Sequence, residues 1–301
     1  MGNISVKKLH SFLGHSDSIY TLESIAEDRF LSAGGDGMVV MWDLKVPDEG
    51  EVIAKIPGSI YAMTHDPSQN ILYLGHNNEG VHKIDVGIKK ELKSVQLGNH
   101  QIFDLQIIDE NVWAALSNGE VVVMTKELGI LDRQKLSNER VRCIEDFGDE
   151  VAISFSDNVV RIFDKRTISQ KHELKGHKNS VFAARYHPSG KYLASVGRDA
   201  HLKVWDSSCE YVLRESIAGH LYTINDLTFR EDGRYFVTAS MDKSIKLWDA
   251  HNFRLLKVLD KHRHAGHGNS VNKLLWMNYH DLLVTCSDDR SISVWDIKIE
   301  E

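Results

Sequence analysis

Residues 176–206 read GHKNSVFAARYHPSGKYLASVGRDAHLKVWD, and this stretch decides the fold because the chain repeats it. It opens with Gly-His, and a serine, an aspartate and a Trp-Asp pair follow. Three more segments keep this order, namely 14–43, 219–249 and 266–296. In every copy a serine or threonine lies four residues before the aspartate, and the tryptophan lies six residues after it. Such recurrence indicates a repeat architecture in which each copy is one supersecondary unit.

Three weaker copies fill the interval between the first strong copy and the second. Residues 57–85, 99–125 and 137–164 keep the apolar skeleton but lose the signature. The tryptophan series then becomes Trp42, Ile84, Met124, Phe163, Trp205, Trp248 and Trp295. Successive members are 39 to 47 residues apart, close to the propeller-blade period of about 40–45 residues. The pattern therefore predicts seven units.

Patterns inside the repeats favour strands over helices. Lys191–Val196 and Ser244–Trp248 are β-branched, aromatic or alternating. The turn signals His187–Gly190 and Glu231–Gly233 lie between such segments. No sustained helical period is present, so the sequence predicts an all-β chain.

The four strong copies resemble the repeats of the WD-repeat family of β-propellers. The resemblance is strong at both ends of the chain and weak from about 45 to 165. It implies a single domain over residues 1–301, built as a seven-bladed β-propeller with four strands in each blade.

The ring needs a strand that the last repeat does not supply, because the sequence ends five residues after Asp296. Ile4–Phe12 precedes the first Gly-His and has strand character. We expect the N-terminal strand to pair into the last blade as its outer strand, which leaves only short sheet edges exposed. An insertion at 261–265 explains the longest interval between repeats.

The signature residues resemble a hydrolase triad, because each set contains a serine or threonine, a histidine and an aspartate. Repetition in four blades argues for architecture, since an enzyme needs one site. The family resemblance implies that each set forms a buried hydrogen-bond network, and buried polar groups are stable when they satisfy one another. The sets are His15, Ser32, Asp36 and Trp42; His177, Ser195, Asp199 and Trp205; His220, Thr238, Asp242 and Trp248; and His267, Thr285, Asp289 and Trp295.

In the weaker repeats no Gly-His precedes the inner-strand positions Ile60, Ile102 and Val141, so we expect blades two to four to rely on packing alone. His262, His264 and His267 are close in sequence, but His267 belongs to its blade network. The two remaining histidines match no zinc spacing. The sequence predicts no metal site, no cofactor and no catalytic residue.

A second aligned series marks the start of each blade's innermost strand. In relatives, the residue after this apolar anchor lies at the channel mouth that usually receives peptides. Four of the seven positions are aromatic, and interface hot spots favour aromatic residues and arginine. Arg198 lies in a neighbouring ring. The expected partner-binding residues are Tyr20, Tyr61, Phe103, Arg142, Phe182, Arg198, Asn225 and Asn272. The alternative is that these aromatics only plug the channel.

Composition and charge bear on the kind of partner and on the compartment. The net charge of −7 disfavours direct nucleic-acid binding. Three scattered cysteines indicate a reducing compartment, cytoplasmic or nuclear in a eukaryote. No apolar run is long enough for a membrane span.

The leading hypothesis is a non-enzymatic scaffold or adaptor that binds a partner protein or peptide, as a monomeric propeller within a larger complex. The alternatives are a propeller enzyme or small-ligand binder, and a subunit of a nucleic-acid-associated complex. A buried metal, or a strongly perturbed carboxylate near Arg142, favours the enzyme alternative.

Overall fold

Seven antiparallel sheets of four strands form a closed ring in the computed structural model, which describes residues 4–300 apart from the side chain of Asp48. The innermost strand of each sheet contacts the innermost strand of the next, and the seventh contacts the first. Each sheet is one blade. The all-β, seven-bladed propeller expected from the repeats is confirmed.

The strands follow one another outward in every blade. The first strand in the chain, β1 (Ile4–Leu13), is the outer strand of blade 7. Blade 1 contains β2 (Ile19–Ser24), β3 (Arg29–Gly34), β4 (Met38–Asp43) and β5 (Val46–Lys55). Blade 2 contains β6 (Ile60–Asp66), β7 (Ile71–His76), β8 (Gly80–Asp85) and β9 (Lys90–Gln96). Blade 3 contains β10 (Ile102–Ile108), β11 (Asn111–Leu116), β12 (Glu120–Thr125) and β13 (Ile130–Lys135).

The remaining blades repeat this order. Blade 4 contains β14 (Val141–Phe147), β15 (Glu150–Phe155), β16 (Val159–Asp164) and β17 (Gln170–Lys175). Blade 5 contains β18 (Val181–Tyr186), β19 (Tyr192–Gly197), β20 (His201–Asp206) and β21 (Val212–Ala218). Blade 6 contains β22 (Ile224–Phe229), β23 (Tyr235–Ser240), β24 (Ile245–Asp249) and β25 (Leu255–Leu259). Blade 7 contains β26 (Val271–Met277), β27 (Leu282–Ser287), β28 (Ser291–Ile299) and β1.

Helical structure within residues 4–300 is confined to short connections. The inserted segment at 261–265 forms a one-turn helix, α1 (Lys261–His264), whose first turn is capped by the Asp260 carboxylate. Two 3₁₀ turns cover Ser207–Cys209 and Tyr279–Asp281. No helix in this part of the chain has the length and apolar character needed to cross a membrane.

The strand register confirms the repeat alignment in the weak copies. Trp42 lies opposite Phe30 across β3 and β4. Ile84 lies opposite Leu72 in the same way, and Met124 lies opposite Val112. Apolar residues therefore replace the tryptophan at the same register position, and the blade geometry survives because packing at that position is kept.

The N-terminal strand closes the ring, as expected. Strand β1 pairs antiparallel with β28, with Ile4 opposite Ile299 and Phe12 opposite Ile292. Phe12 is buried and its ring lies edge-on to Trp42 of blade 1, with ring centres 5.1 Å apart. The closing strand thus pairs with blade 7 and packs against blade 1.

Truncation of Phe12 tests this closure. We expect Phe12→Ala to lower the free energy of unfolding by about 3–5 kcal/mol, the usual cost of emptying a buried aromatic site. Leu13→Ala is the matched control, because Leu13 lies on the same strand with 71% of its surface exposed. Urea unfolding measures both. Equal, small losses for the two variants would show that β1 contributes little to the closed ring.

Candidate functional site

Each strong blade brings its four signature residues together around one hydroxyl group. In blade 1, Trp42 Nε1 donates to Ser32 Oγ at 2.8 Å. The Ser32 hydroxyl lies 2.7 Å from His15 Nε2, and His15 Nδ1 lies 3.0 Å from an Asp36 oxygen. One assignment satisfies every group: tryptophan donates to serine, serine donates to histidine, and histidine donates to aspartate.

The other three sets, which we call tetrads, repeat this geometry. The histidine–aspartate distances are 3.0 Å for His177–Asp199, 2.8 Å for His220–Asp242 and 3.2 Å for His267–Asp289. The histidine–hydroxyl distances are all 2.8 Å, to Ser195, Thr238 and Thr285. Trp205, Trp248 and Trp295 donate to those hydroxyls at 2.8, 2.9 and 3.0 Å.

The tetrads are built for stability and not for nucleophilic chemistry. The hydroxyls of Ser32, Ser195, Thr238 and Thr285 belong to side chains with no exposed surface. Each aspartate also accepts backbone N–H groups, as Asp199 does from Lys178 and His201. The tetrad therefore ties the loop before the inner strand to the turn between the second and third strands.

Removal of one tetrad hydroxyl tests the role of this network. Thr238→Val keeps the side-chain shape but leaves Trp248 Nε1 and His220 Nε2 without a partner, so we expect a loss of about 1–3 kcal/mol. Thr238→Ser is the control, because it keeps the hydroxyl that two other blades use. Thermal unfolding with calorimetry gives the comparison. A serine variant less stable than the valine variant contradicts the role assigned to the hydroxyl.

The tetrads also perturb ionisation. Burial by itself raises the pKa of Asp199, but the hydrogen bond and charge of His177 and the backbone donors outweigh burial and lower it to about 2. The same balance lowers the pKa values of Asp242 and Asp289. Burial lowers the pKa of His177 and His220 below their ordinary value. The folded state thus favours an ionised aspartate beside a neutral histidine.

These shifts predict acid sensitivity. A carboxyl with a pKa of about 2 when folded and about 3.9 when unfolded stabilises the fold fully above pH 4. That contribution, on the order of 2 kcal/mol, is lost as the pH falls toward 2. We expect Asp199→Asn to reduce the slope of stability against pH between 4 and 2. Urea midpoints across that range test it, and parallel curves for parent and variant contradict it.

The expectation that blades two to four rely on packing alone is wrong. In blade 4, Arg161 pairs with Asp157 at 2.8 Å, and Ser137 donates to the same carboxylate. Between blades 2 and 3, Lys126 pairs with Asp66 at 3.0 Å. These blades contain polar contacts formed by different residue types, which a search for Gly-His does not detect.

The seven expected channel-mouth residues are the bulged residues of the inner strands. Each inner strand starts at the expected apolar anchor, and its register shifts directly afterwards, for example between Ile19 and Thr21. The extra residue of a bulge leaves the regular ladder and turns toward a new direction. The bulged residues are Tyr20, Tyr61, Phe103, Arg142, Phe182, Asn225 and Asn272. All seven are half-buried and line one cavity of about 180 Å³.

Five of these residues form a continuous arc, which we call the aromatic arc: Tyr20, Tyr61, Phe103, Arg142 and Phe182. The ring centres of Tyr20 and Tyr61 lie 4.8 Å apart, and those of Tyr61 and Phe103 lie 5.9 Å apart. The Arg142 guanidinium carbon lies 4.5 Å from the Phe103 ring centre and 4.1 Å from that of Phe182. The arginine is therefore held between two aromatic faces, and cation–π attraction orients it.

The arc ends in a positive region. Burial lowers the pKa of Arg142 to about 10, and the nearby charges of Arg140 and Arg198 add to this effect. Arg140 and Arg198 are exposed. An acidic group that approaches this side of the mouth meets three guanidinium groups.

Asn225 and Asn272 lie on the other side of the mouth, and their amides are engaged in hydrogen bonds. The Asn225 amide donates to the Val271 carbonyl at 2.8 Å. The Asn272 amide donates to the Ile19 carbonyl and to Asp288, both at 2.8 Å. These bonds link blade 6 to blade 7 and blade 7 to blade 1, so this side of the ring is already connected.

Ionisable residues of the inner strands also join neighbouring blades. Glu145 accepts the Tyr186 N–H at 3.2 Å and pairs with Arg185, and Glu23 accepts the His65 N–H at 3.0 Å. Burial raises the pKa of both glutamates to about 7. Glu145 lies on the same strand as Arg142, so a perturbed carboxylate does lie near that arginine. Its bond to the next blade gives it a structural role.

Sequence reasoning missed an exposed apolar group on blade 6. Leu221, Tyr222 and Met241 have 83%, 62% and 56% of their surface exposed. They belong to the two loops at the end of blade 6 where the inner strand starts, and Met241 N–H donates to the Thr223 carbonyl between those loops. The aligned repeats do contain a signal for this group, because the apolar pair Leu221-Tyr222 aligns with the polar pair Lys178-Asn179 of blade 5.

Comparison with known proteins agrees with this geometry. The family described as WD domain, G-beta repeat matches residues 6–43, 168–206, 209–249 and 256–296, which together make up more than half of the chain. The chain belongs to the WD40-repeat family. Members of this family are propellers that typically serve as protein-interaction scaffolds.

Individual relatives are distant. A striatin homolog of Dictyostelium discoideum is 24% identical over 67% of this chain and 22% of its own length. A p21-activated protein kinase-interacting protein 1-like protein of Danio rerio is 22% identical over 69% of this chain and 58% of its own length. The WD repeat-containing protein SL1-17 of Schistosoma mansoni is 22% identical over 67% of this chain and 83% of its own length. The chain thus spans about a fifth of the first relative and just over half of the second.

Among solved structures, the WD40 β-propeller domain of Doa1 superposes with a TM-score of 0.84 at 14% identity, over 97% of each chain. At this identity the likeness describes the fold alone.

Proposed function

We propose that this propeller is a scaffold or adaptor that binds an extended peptide segment of a partner protein across the channel mouth. The aromatic arc is the observation that carries the proposal. Five side chains from five different blades converge there, half-buried and rigidly stacked. Aromatic and arginine anchors of this kind dominate the energetics of protein interfaces.

The chemistry of the mouth defines the kind of peptide. Apolar side chains of the peptide pack against Tyr20, Tyr61 and Phe103. An acidic side chain pairs with Arg142, and the exposed Arg140 and Arg198 favour the same charge. Leu221, Tyr222 and Met241 on blade 6 offer a second apolar contact. The peptide therefore combines apolar residues with at least one acidic residue.

Binding is favoured over the plug alternative by the exposure of the arc. A plug of aromatics satisfied by one another would be closed to water, whereas all five arc residues keep part of their surface exposed around a cavity. The asparagine side contributes less to the peptide, because Asn225 and Asn272 already use their amide donors within the ring.

The enzyme alternative receives less support. It needs a carboxylate with a raised pKa that is free to act, and Glu145 and Glu23 each accept a backbone N–H from the neighbouring blade. The signature hydroxyls are inaccessible within the tetrads. We therefore propose a non-catalytic role.

We further propose that the propeller acts as one copy within a larger complex in a reducing compartment, the cytoplasm or the nucleus. Its three cysteines are all free, with Cys143 and Cys286 buried and Cys209 exposed. The net charge of −7 opposes direct nucleic-acid contact. The name of the Danio rerio relative, an interacting protein of a kinase, is in line with a protein partner.

A paired-variant affinity purification tests the proposal. The Tyr61→Ala/Phe103→Ala double variant removes the centre of the arc. We expect this variant to lose about 2 kcal/mol or more of binding free energy for the partner, roughly 30-fold in affinity. Quantitative mass spectrometry of proteins retained from cells of the source organism measures the loss, and calorimetry shows that the variant stays folded.

The control is Ile130→Ala/Leu131→Ala, which removes two exposed apolar residues from the outer strand β13, away from the mouth. The control keeps the full set of partners if the arc is the binding site. Arg142→Gln tests the acidic group of the peptide separately, because it removes the charge that this group is proposed to pair with and should also lower the recovery of partners. Identical recovery of partners by parent and arc variant would falsify the channel-mouth assignment.

A further inference from the structure

Blade 2 carries a cluster of possible metal ligands that the proposed function does not use. Strands β7 and β8 are joined by a tight turn, and His76, Glu79 and His82 follow one another at three-residue spacing across it. Within the described part of the chain, this is the group of three in which histidine, cysteine or carboxylate ligand atoms all lie within 4.8 Å of one another. The cluster lies outside the tetrad pattern, because Gly75-His76 ends the second strand of blade 2 and does not precede its inner strand.

Strand register places the two imidazoles on one face of the blade. His82 lies opposite Leu74, and His76 lies opposite Gly80, so the two histidines are diagonal neighbours on the same side of the hairpin. Leu74 itself packs with Leu31 and Val39 of blade 1. The histidines therefore face the boundary between blades 1 and 2, and both are buried, with 4% and 9% of their surface exposed.

The turn places the Glu79 carboxylate beside them. Asn78 adopts a left-handed conformation and donates its N–H to the His100 carbonyl of the next blade at 2.9 Å. Gly80 has a φ of 130°, and a Cβ at that position would lie 2.0 Å from the Val95 carbonyl oxygen. Only glycine fits there, so the backbone next to Glu79 is constrained.

Two distances from His76 Nδ1 match those between neighbouring ligands of a tetrahedral metal site. His76 Nδ1 lies 3.3 Å from His82 Nε2 and 3.1 Å from a Glu79 carboxylate oxygen. Tetrahedral Zn²⁺ with bonds of about 2.0–2.2 Å separates neighbouring ligand atoms by about 3.3 Å. Two of the three pairs therefore already have nearly the spacing that zinc requires, and the third pair, Glu79 and His82, lies within 4.8 Å.

Without a metal ion, the cluster would be held by hydrogen bonds, and it has too few protons for all its close contacts. If His76 Nδ1–H donates to His82 Nε2, the Glu79 carboxylate competes for the same proton. His82 Nδ1 is buried and has no aligned hydrogen-bond partner, although a Glu91 carboxylate oxygen lies 3.3 Å away. Three lone-pair atoms thus converge where a divalent cation satisfies all of them at once.

Glu91 lies beside His82 and is placed to support it as a metal ligand. A histidine that binds metal through one ring nitrogen usually donates the other N–H to a carboxylate, which fixes the tautomer and makes the ligand more basic. Glu91 stands on the Nδ1 side of His82, which leaves Nε2 free to face His76 and Glu79. Glu79 is 55% exposed, so a fourth ligand position is open to water.

We propose that His76, Glu79 and His82 form a zinc site that braces the β7–β8 turn of blade 2, which is one of the three blades without a tetrad. Imidazole and carboxylate ligands in tetrahedral spacing suit Zn²⁺ and exclude Mg²⁺, which requires octahedral oxygen ligands. The site stabilises blade 2 against blade 1, and it is independent of peptide binding at the channel mouth.

Calorimetric titration of the tag-free protein with zinc sulfate, after dialysis against EDTA, tests the site. We expect one zinc ion per chain and a rise in thermal midpoint that magnesium sulfate does not produce. Glu79→Gln, on the exposed side of the turn, keeps the fold and lowers zinc affinity by at least about tenfold, as even outer partners of metal ligands do. His82→Gln abolishes binding. With cobalt(II), the visible spectrum of the parent reports tetrahedral coordination.

His251→Gln is the matched control, because His251 lies in an exposed turn of blade 6. It should bind zinc like the parent. The proposal is overturned if the parent takes up no zinc, if Glu79→Gln binds zinc as tightly as the parent, or if magnesium gives the same thermal shift. Peptide binding by the Glu79→Gln variant stays at the parental level, so failure here is distinguishable from failure of the channel-mouth proposal.

Discussion

The pairing of β1 with β28 is the interaction on which the rest of this structure depends. It joins the two ends of the described chain by backbone hydrogen bonds and buries Phe12 against blade 1. The closed ring of seven sheets leaves only short, protected strand edges, which limits the aggregation hazard of open sheets. It also fixes the angular position of every blade. The channel mouth exists as one surface because no blade can drift from its neighbours.

Two kinds of polar network maintain that ring. The tetrads act within blades 1, 5, 6 and 7, where each buried hydroxyl links a histidine to a tryptophan. Carboxylates act between blades, as Glu145 and Asp226 do when they accept N–H groups from the next inner strand. Blade 2 has no tetrad. Its two buried histidines, His76 and His82, lie at its boundary with blade 1. Polar groups are tolerated throughout because nearly all of them are satisfied.

The channel mouth follows from a backbone irregularity repeated seven times. A bulge at the second residue of each inner strand turns one side chain out of the ladder, so seven residues far apart in sequence meet in a single ring. The chemistry of the ring is uneven. Aromatic residues and arginine occupy blades 1 to 5, and hydrogen-bonded asparagines occupy blades 6 and 7. The two sides of the ring therefore present different chemistry.

The sequence by itself determined the blade count, the register and the closing strand. Period, strand pattern and the Gly-His signature are local features, and they recur often enough to be aligned. The aligned apolar anchors, together with the family resemblance, also marked the seven channel-mouth positions, but not that each is a bulge. Only the tertiary structure decided how those side chains meet: the placement of Arg142 between Phe103 and Phe182, and the convergence of His76, Glu79 and His82. Such contacts depend on strand twist, rotamers and the approach of neighbouring blades, and no local pattern encodes them. The same reason explains the wrong expectation for blades two to four, where Arg161 and Lys126 find partners that the repeat signature does not mark.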